Sequence, residues 1–316
     1  MAKRITCIGI ILMATVVLVN GQSKPAPNSK PTPFLGRKET GLETTRRLER
    51  ANAKIEQQTY ANLHGQGTTE SRRFNREFRA KMVSLYRKPR KTETEILKPA
   101  EKHRQQYAKF LREKKTGLFK LIPDQGCEGH GKVINVAPNC LKYNFPGAGA
   151  SYSFRLSTYR IGRLADLTFV KKSLIARGVF SGAIFVELGD IPIKNVGLDT
   201  PGLKFLSKYK PVKSATDAMN AARRFAKGVK KDGFVYGRGV YVSKQNTFAM
   251  RSIAYRGKFI RSFSGYQYNE LGFDKRRDII VVFRIVDVDY NGSATIVWKI
   301  LRETKSPKLK IYRKNK

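Results

Sequence analysis

The residues able to do chemistry are sparse in this chain, and the clearest group is Cys127, His130 and Cys140. Cys127-x-x-His130 followed by Cys140 offers two thiols and an imidazole, which suits either a disulfide or a three-ligand metal site. A fourth ligand is not evident unless Asp124 or Glu128 serves, and Gly129, Gly131, Pro138 and Asn139 read as loop. The disulfide is the simpler expectation, and closing so short a loop stabilises by about 3 kcal/mol in the chain-entropy account. No cofactor or metal is expected.

Asp287, Asp289, Asn291 and Gly292 match the first half of a calcium loop, D-x-D-x-N-G, in which alternating carboxylates wrap a hard cation. The bidentate Glu required at its twelfth position is Trp298, so a hairpin whose aspartates face solvent or a basic neighbour such as Arg284 or Lys299 is expected. Glu187 and Asp190 form the first candidate acid/base pair for a hydrolase, with His130 as third member. Gly189 and Pro192 beside them read more simply as a strand-end turn. Gly237 and Gly239 around Arg238 are too few to cradle a phosphate, His64, His103 and His130 read as surface histidines, and Asn291 with Ser293 makes a glycosylation sequon in a poor position.

Charge is the strongest signal. The chain holds 63 Lys and Arg against 24 Asp and Glu, a formal +39. Cations alternate with aromatics in Tyr255, Arg256, Lys258, Phe259, Arg261 and Phe263, and again in Lys308, Lys310, Tyr312 and Arg313. Cations release counterions from an anionic polymer while flat rings stack on bases or sugars, so Arg256, Lys258, Arg261, Lys308, Lys310 and Arg313 are the candidate polyanion-binding residues. The surplus is spread along the whole chain, which equally suits a uniformly cationic surface without a specific role.

The N-terminus decides which polyanion is in reach. Lys3 and Arg4 precede an apolar stretch from Ile5 to Val19, shorter than the roughly 20 residues of a spanning helix, and Val19, Asn20 and Gly21 suit cleavage before Gln22. Residues 1–21 are expected to be a signal peptide, leaving an exported, periplasmic or extracellular chain of +37. Outside the membrane the partners in reach are lipid phosphates and acidic glycans, and nucleic acid is disfavoured.

The elements that must position these residues follow from periodicity. Residues 22–40, with Pro25, Pro27, Pro31 and Pro33, read as a linker, and residues 41–115 as a charged helical arm. The arm carries the stripes Leu48, Ala51, Ile55 and Phe74, Phe78, Met82, Leu85, with a helix after Pro99 bearing Tyr107, Phe110 and Leu111, and could dock on a protein partner. From 116 to 316 an α+β domain is expected, mostly antiparallel strands with one internal helix. That helix starts at Ser214-x-x-Asp217, buries Ala218, Met219, Ala222 and Phe225, and stops at Gly228. Asn291-Gly292 predicts a two-residue hairpin setting Tyr290 opposite Ser293 and Ile285 opposite Trp298, while the unbroken apolar run from Ile279 to Phe283 predicts a central strand covered on both faces. These expectations converge on an exported protein that binds an anionic envelope component without catalysis; a hydrolase on an anionic substrate, or an assembly protein docking through its arm, are the alternatives.

Overall fold

The computed structural model describes residues 73, 76, 77, 80, 86–126, 140, 142–263 and 266–310. The signal and linker segments, both apolar stripes of the arm, His64, Cys127, His130 and Arg313 lie outside them, so the expected Cys127–Cys140 bridge does too; Cys140 itself is buried.

Of the arm, the described residues 73, 76, 77, 80 and 86 are helical, and a succession of short turns follows: α1 (Lys91–Thr94), a 3-10 turn at Glu95–Leu97, α2 (Glu101–Gln106) and a 3-10 turn at Phe110–Arg112. Pro99 precedes the N-cap, Ala100, instead of occupying the first turn, and α2 ends before Tyr107. Tyr107 and Phe110 still pack onto the core from beyond the helix.

The β domain begins at Thr116, where the sequence changes character. Its strands are β1 (Thr116–Leu121), β2 (Ser151–Ser153), β3 (Thr158–Tyr159), β4 (Leu167–Val170), β5 (Ser173–Ala176) and β6 (Ser181–Gly189). After the helices α3 (Leu203–Lys208) and α4 (Ala215–Ala226) follow β7 (Val229–Lys231), β8 (Phe234–Gly237), β9 (Gly239–Tyr241) and β10 (Thr247–Ala254). The chain then forms β11 (Ile260–Phe263), β12 (Tyr266–Asn269), β13 (Arg277–Val288) and β14 (Ala294–Lys305). All pair antiparallel, in a seven-stranded sheet β1-β14-β13-β10-β6-β8-β7, a five-stranded sheet β3-β2-β4-β5-β9 and the ribbon β11-β12. The fold is therefore α+β and mostly antiparallel β.

β13 shows why its run does not alternate. Ile279, Val281, Phe283 and Ile285 face a core shared with Phe169 and Leu174 of the five-stranded sheet and with Phe154 just past β2, while Ile280, Val282 and Val286 face Leu203, Leu206 and Phe225 on the helical side. Successive side chains point to opposite faces, and here both faces are covered. Trp298 of β14 lies over Gly117, where a Cβ would come within 2.6 Å of the indole Nε1, so only glycine fits opposite it.

α4 forms where its signals stand: the Ser214 hydroxyl accepts from the Asp217 N–H at 3.0 Å, and Gly228 takes φ +81° just past the end. Met219, expected inside, is 51% exposed, because the helix lies on the sheet through Phe225 and its small residues. α3 was not expected; its six residues are too few for a periodic pattern.

The hairpin departs from expectation in register. The Gly292 N–H donates to Asp289 C=O and the Asp289 N–H to Ser293 C=O, both at 2.8 Å, and only Gly292 has positive φ. This is a type I turn completed by a left-handed glycine, in place of the two-residue type I′ turn. With a bulge between Ile285 and Asp287, Ile285 pairs with Ile296, and Trp298 with Phe283.

Candidate functional site

The chain after β14 brings distant cations together. Ser306, Pro307, Lys308, Leu309 and Lys310 run as an extended segment in which buried Leu309 sits between exposed Lys308 and Lys310, the period-two alternation of a strand. Leu309 packs with Ile253 and Tyr255, and the backbone is pinned on two sides. The Arg256 N–H donates to Pro307 C=O at 2.9 Å and the Leu309 N–H to Arg256 C=O at 2.8 Å. On the other side the Lys310 N–H donates to Lys213 C=O at 2.7 Å and the Ala215 N–H to Lys310 C=O at 3.1 Å. Three remote stretches thus form one cationic seam of Lys213, Arg256, Lys258, Lys308 and Lys310.

Arg256 itself is partly committed, its Nε donating to Ser306 C=O at 2.6 Å. Lys213, Lys258, Lys308 and Lys310 are exposed, and among the described residues no carboxylate forms an ion pair with them. Arg261 stands apart on β11, 3.7 Å from the buried carboxylate of Glu270, which also takes both Arg163 nitrogens and the Tyr86 hydroxyl. Burial pushes Glu270 up, and Arg163, Tyr86 and Arg261 together more than reverse it, leaving its pKa below the usual carboxylate range. Lys213 is the seam residue that sequence reasoning missed: nothing local signals that residues 310 and 213 share a hydrogen bond.

The aspartates of the calcium-like pattern are taken by cations other than the expected Arg284 and Lys299. Asp289 pairs with Lys120, and Asp287 receives Lys244 at 2.9 Å, His103 Nε2 at 3.1 Å and Lys102 at 3.8 Å. Lys244 chiefly, with His103, holds the Asp287 carboxyl at about 2. His103, expected at the surface, is buried on α2, and its ring ties the arm to β13. Lys102, Lys244 and Arg284 border a pocket of about 260 Å³ above Asp287. Glu187 accepts from Asn246 Nδ2 and Asp190 accepts from Arg284 at 2.6 Å, so each carboxylate has a partner of its own.

Deeper inside lie charges the sequence pattern hid. Asp166, fully buried, accepts from Arg155 Nε at 2.7 Å, Ser252 Oγ at 2.6 Å and Ser153 Oγ at 3.2 Å, joining β2 and β4 to β10. Arg155 also reaches Asp274, which bridges to Arg276 at 3.3 Å. Burial pulls the Arg155 guanidinium down, but Asp166 and Asp274 outweigh it and raise its pKa; Arg276, desolvated beside Arg155, is pushed down to about 10. Arg251 on β10 grips Asp278 at 2.9 and 2.7 Å and donates to the Leu206 carbonyl at 2.8 Å, closing the C-terminal end of α3. These groups hold sheets and helices together. No known protein family, curated protein or solved structure matches this chain.

Proposed function

We propose that this protein, exported across a membrane, binds an anionic component of the cell envelope, a lipid phosphate, an acidic glycan or another polyanion, without catalysis. The observation that carries the reading is the seam: Lys213, Lys258, Lys308 and Lys310 exposed without carboxylate partners, beside Arg256, on backbone pinned from both sides. A flexible basic tail pays ordering entropy on each encounter, whereas this seam meets a polymer with its charges already spaced. Export disfavours nucleic acid, and the charged helical arm remains available to a protein partner.

Five neutralised charges give a slope of log affinity on log salt of about −3.5 to −4.5, a loss of roughly 100- to 500-fold between 50 and 200 mM. The test titrates the full chain with polyphosphate, heparin and phosphatidylglycerol vesicles at several salt concentrations. The double variant Lys308→Glu, Lys310→Glu is expected to bind at least tenfold more weakly and to flatten the slope by about 2. Absence of binding to all three probes at ~20 mM salt, or an unchanged slope in the variant, refutes the reading.

A further inference from the structure

Arg238 occupies an unusual place in the topology. It is the single residue between β8, which pairs with β6 in the seven-stranded sheet, and β9, which pairs with β5 in the five-stranded one. Its carbonyl accepts the Ala176 N–H at 2.8 Å, and a Cβ on Gly239 would come within 2.9 Å of the Leu174 carbonyl oxygen, so the backbone around it is closely fitted. The crossing point fixes where the guanidinium starts.

That guanidinium, partly buried, lacks what most of the buried arginines have. Arg155, Arg251 and Arg276 each meet a carboxylate, and Arg160 donates to the Phe273 carbonyl. Arg238 makes no side-chain hydrogen bond or ion pair with any described residue, and burial alone pulls its pKa down, with no acidic group opposing. Desolvating a cation without a counter-charge is unfavourable, so at the partly buried Arg238 an anionic ligand would supply what the described residues do not.

Space for that ligand adjoins it. A cleft of about 590 Å³ is walled by Ile175, Ala176, Phe225 and Ala226 with Arg238 among them, and Arg238 also borders a narrow inner pocket beside Tyr209 and Ala222. The volume falls in the range of small-molecule sites, about 300–1,000 Å³, and the walls combine apolar side chains with two cations, Arg238 and Lys227. The C-terminal end of α4 borders the same cleft through Phe225, Ala226 and Lys227.

We propose that the cleft at Arg238 binds a small organic monocarboxylate with an apolar body, the carboxylate on the guanidinium and the body against Ile175 and Phe225. The forked N–H donors match a carboxylate bidentately, and losing such a charge-assisted contact weakens binding by about ten- to a hundredfold.

The test is calorimetric titration of the full chain with octanoate, with octan-1-ol as the uncharged comparator. Octanoate is expected to bind saturably, at least tenfold tighter than octanol, and to weaken at least tenfold in Arg238→Gln. Ala226→Phe, which crowds the cleft from an exposed helix position, is expected to weaken it comparably without touching the arginine. Arg223→Gln, an exposed arginine on the same helix, leaves octanoate affinity unchanged and so removes general charge attraction as the cause. Equal affinity in Arg238→Gln and wild type, equal affinity for octanol, or no saturable octanoate binding up to ~10 mM, in the concentration regime where even weak pockets fill, overturns the proposal.

Discussion

Asp166→Asn removes one negative charge from a site with no access to water and changes almost nothing in volume. Asp166 is fully buried and takes donors from Arg155, Ser153 and Ser252, the last of which sits on β10 in the other sheet. An asparagine keeps one carbonyl oxygen but turns an N–H₂ toward donors, and it leaves Arg155 with Asp274 alone against Arg276 and Arg160 nearby. Breaking a buried pair from one side costs about 3–5 kcal/mol, a large part of the roughly 5–15 kcal/mol that holds a domain folded. With a urea m-value of about 3 kcal/mol/M the unfolding midpoint falls by about 1–1.7 M. The assay is equilibrium urea unfolding followed by far-ultraviolet circular dichroism. Replacing both partners, as Arg155→Met with Asp166→Leu, leaves no uncompensated charge and is expected to cost less than Asp166→Asn alone. A midpoint within ~0.2 M of wild type in Asp166→Asn, or a double replacement that costs the sum of the two singles, refutes the claim that these groups form one water-excluded unit.

Two further perturbations probe the same scaffold. Gly117→Ala drives a methyl into the indole of Trp298 and is expected to destabilise by about 1–3 kcal/mol; because Trp298 is the sole tryptophan, its fluorescence reports the displacement directly, and an unshifted emission maximum contradicts the packing. The Asp287 carboxyl, held at about 2 by Lys244 and His103, lies below its unfolded value near 3.9, so its contribution is complete above pH ~4 and lost as pH falls toward 2. Urea unfolding at pH 6 and pH 2.5 is expected to show Asp287→Asn losing less stability between the two than wild type, by up to ~2 kcal/mol, and equal losses refute the pairing.

What was legible in the sequence was whatever a local pattern encodes. The onset of strands at Thr116, the two-faced burial of β13 and the Ser214 cap with its Gly228 stop each rest on residues within a few positions of one another. What stayed hidden depends on partners far along the chain. Arg155 sits in a run whose alternation assigns it to a polar face, yet the strand ends at Ser153 and its carboxylates come from positions 166 and 274. His103 reads as a surface residue because Asp287 lies 184 positions away. The hairpin was found but its register was not, since a left-handed glycine serves both turn types and only the strand bulge settles the pairing. Of the seam, composition gave Arg256, Lys258, Lys308 and Lys310, while Lys213 joins only through the backbone pairing of the terminal segment.

The two cations of the chain are divided by physics, and the division bears on both proposals. Among the described residues the buried charged set contains Arg155, Arg160, Arg251 and Arg276 and no lysine, while Asp166, Glu270 and Asp278 are buried against arginines. Guanidinium is weakly hydrated and forked, so it tolerates burial when carboxylates and carbonyls meet its N–H groups; ammonium keeps its water and stays outside. Three acids and four arginines go inward together, so the exterior keeps the cationic surplus that the overall ratio of 63 to 24 conveys. The seam's four exposed lysines act as hydrated point charges, which respond to the density of negative charge on a polymer more than to its stereochemistry. Arg238, partly buried and forked, is suited to the proposed task of recognising a carboxylate by shape. On this argument, exchanging Lys308 and Lys310 for arginine leaves the salt slope of polymer binding intact, because the slope counts charges, whereas Arg238→Lys weakens octanoate, because the fork is lost.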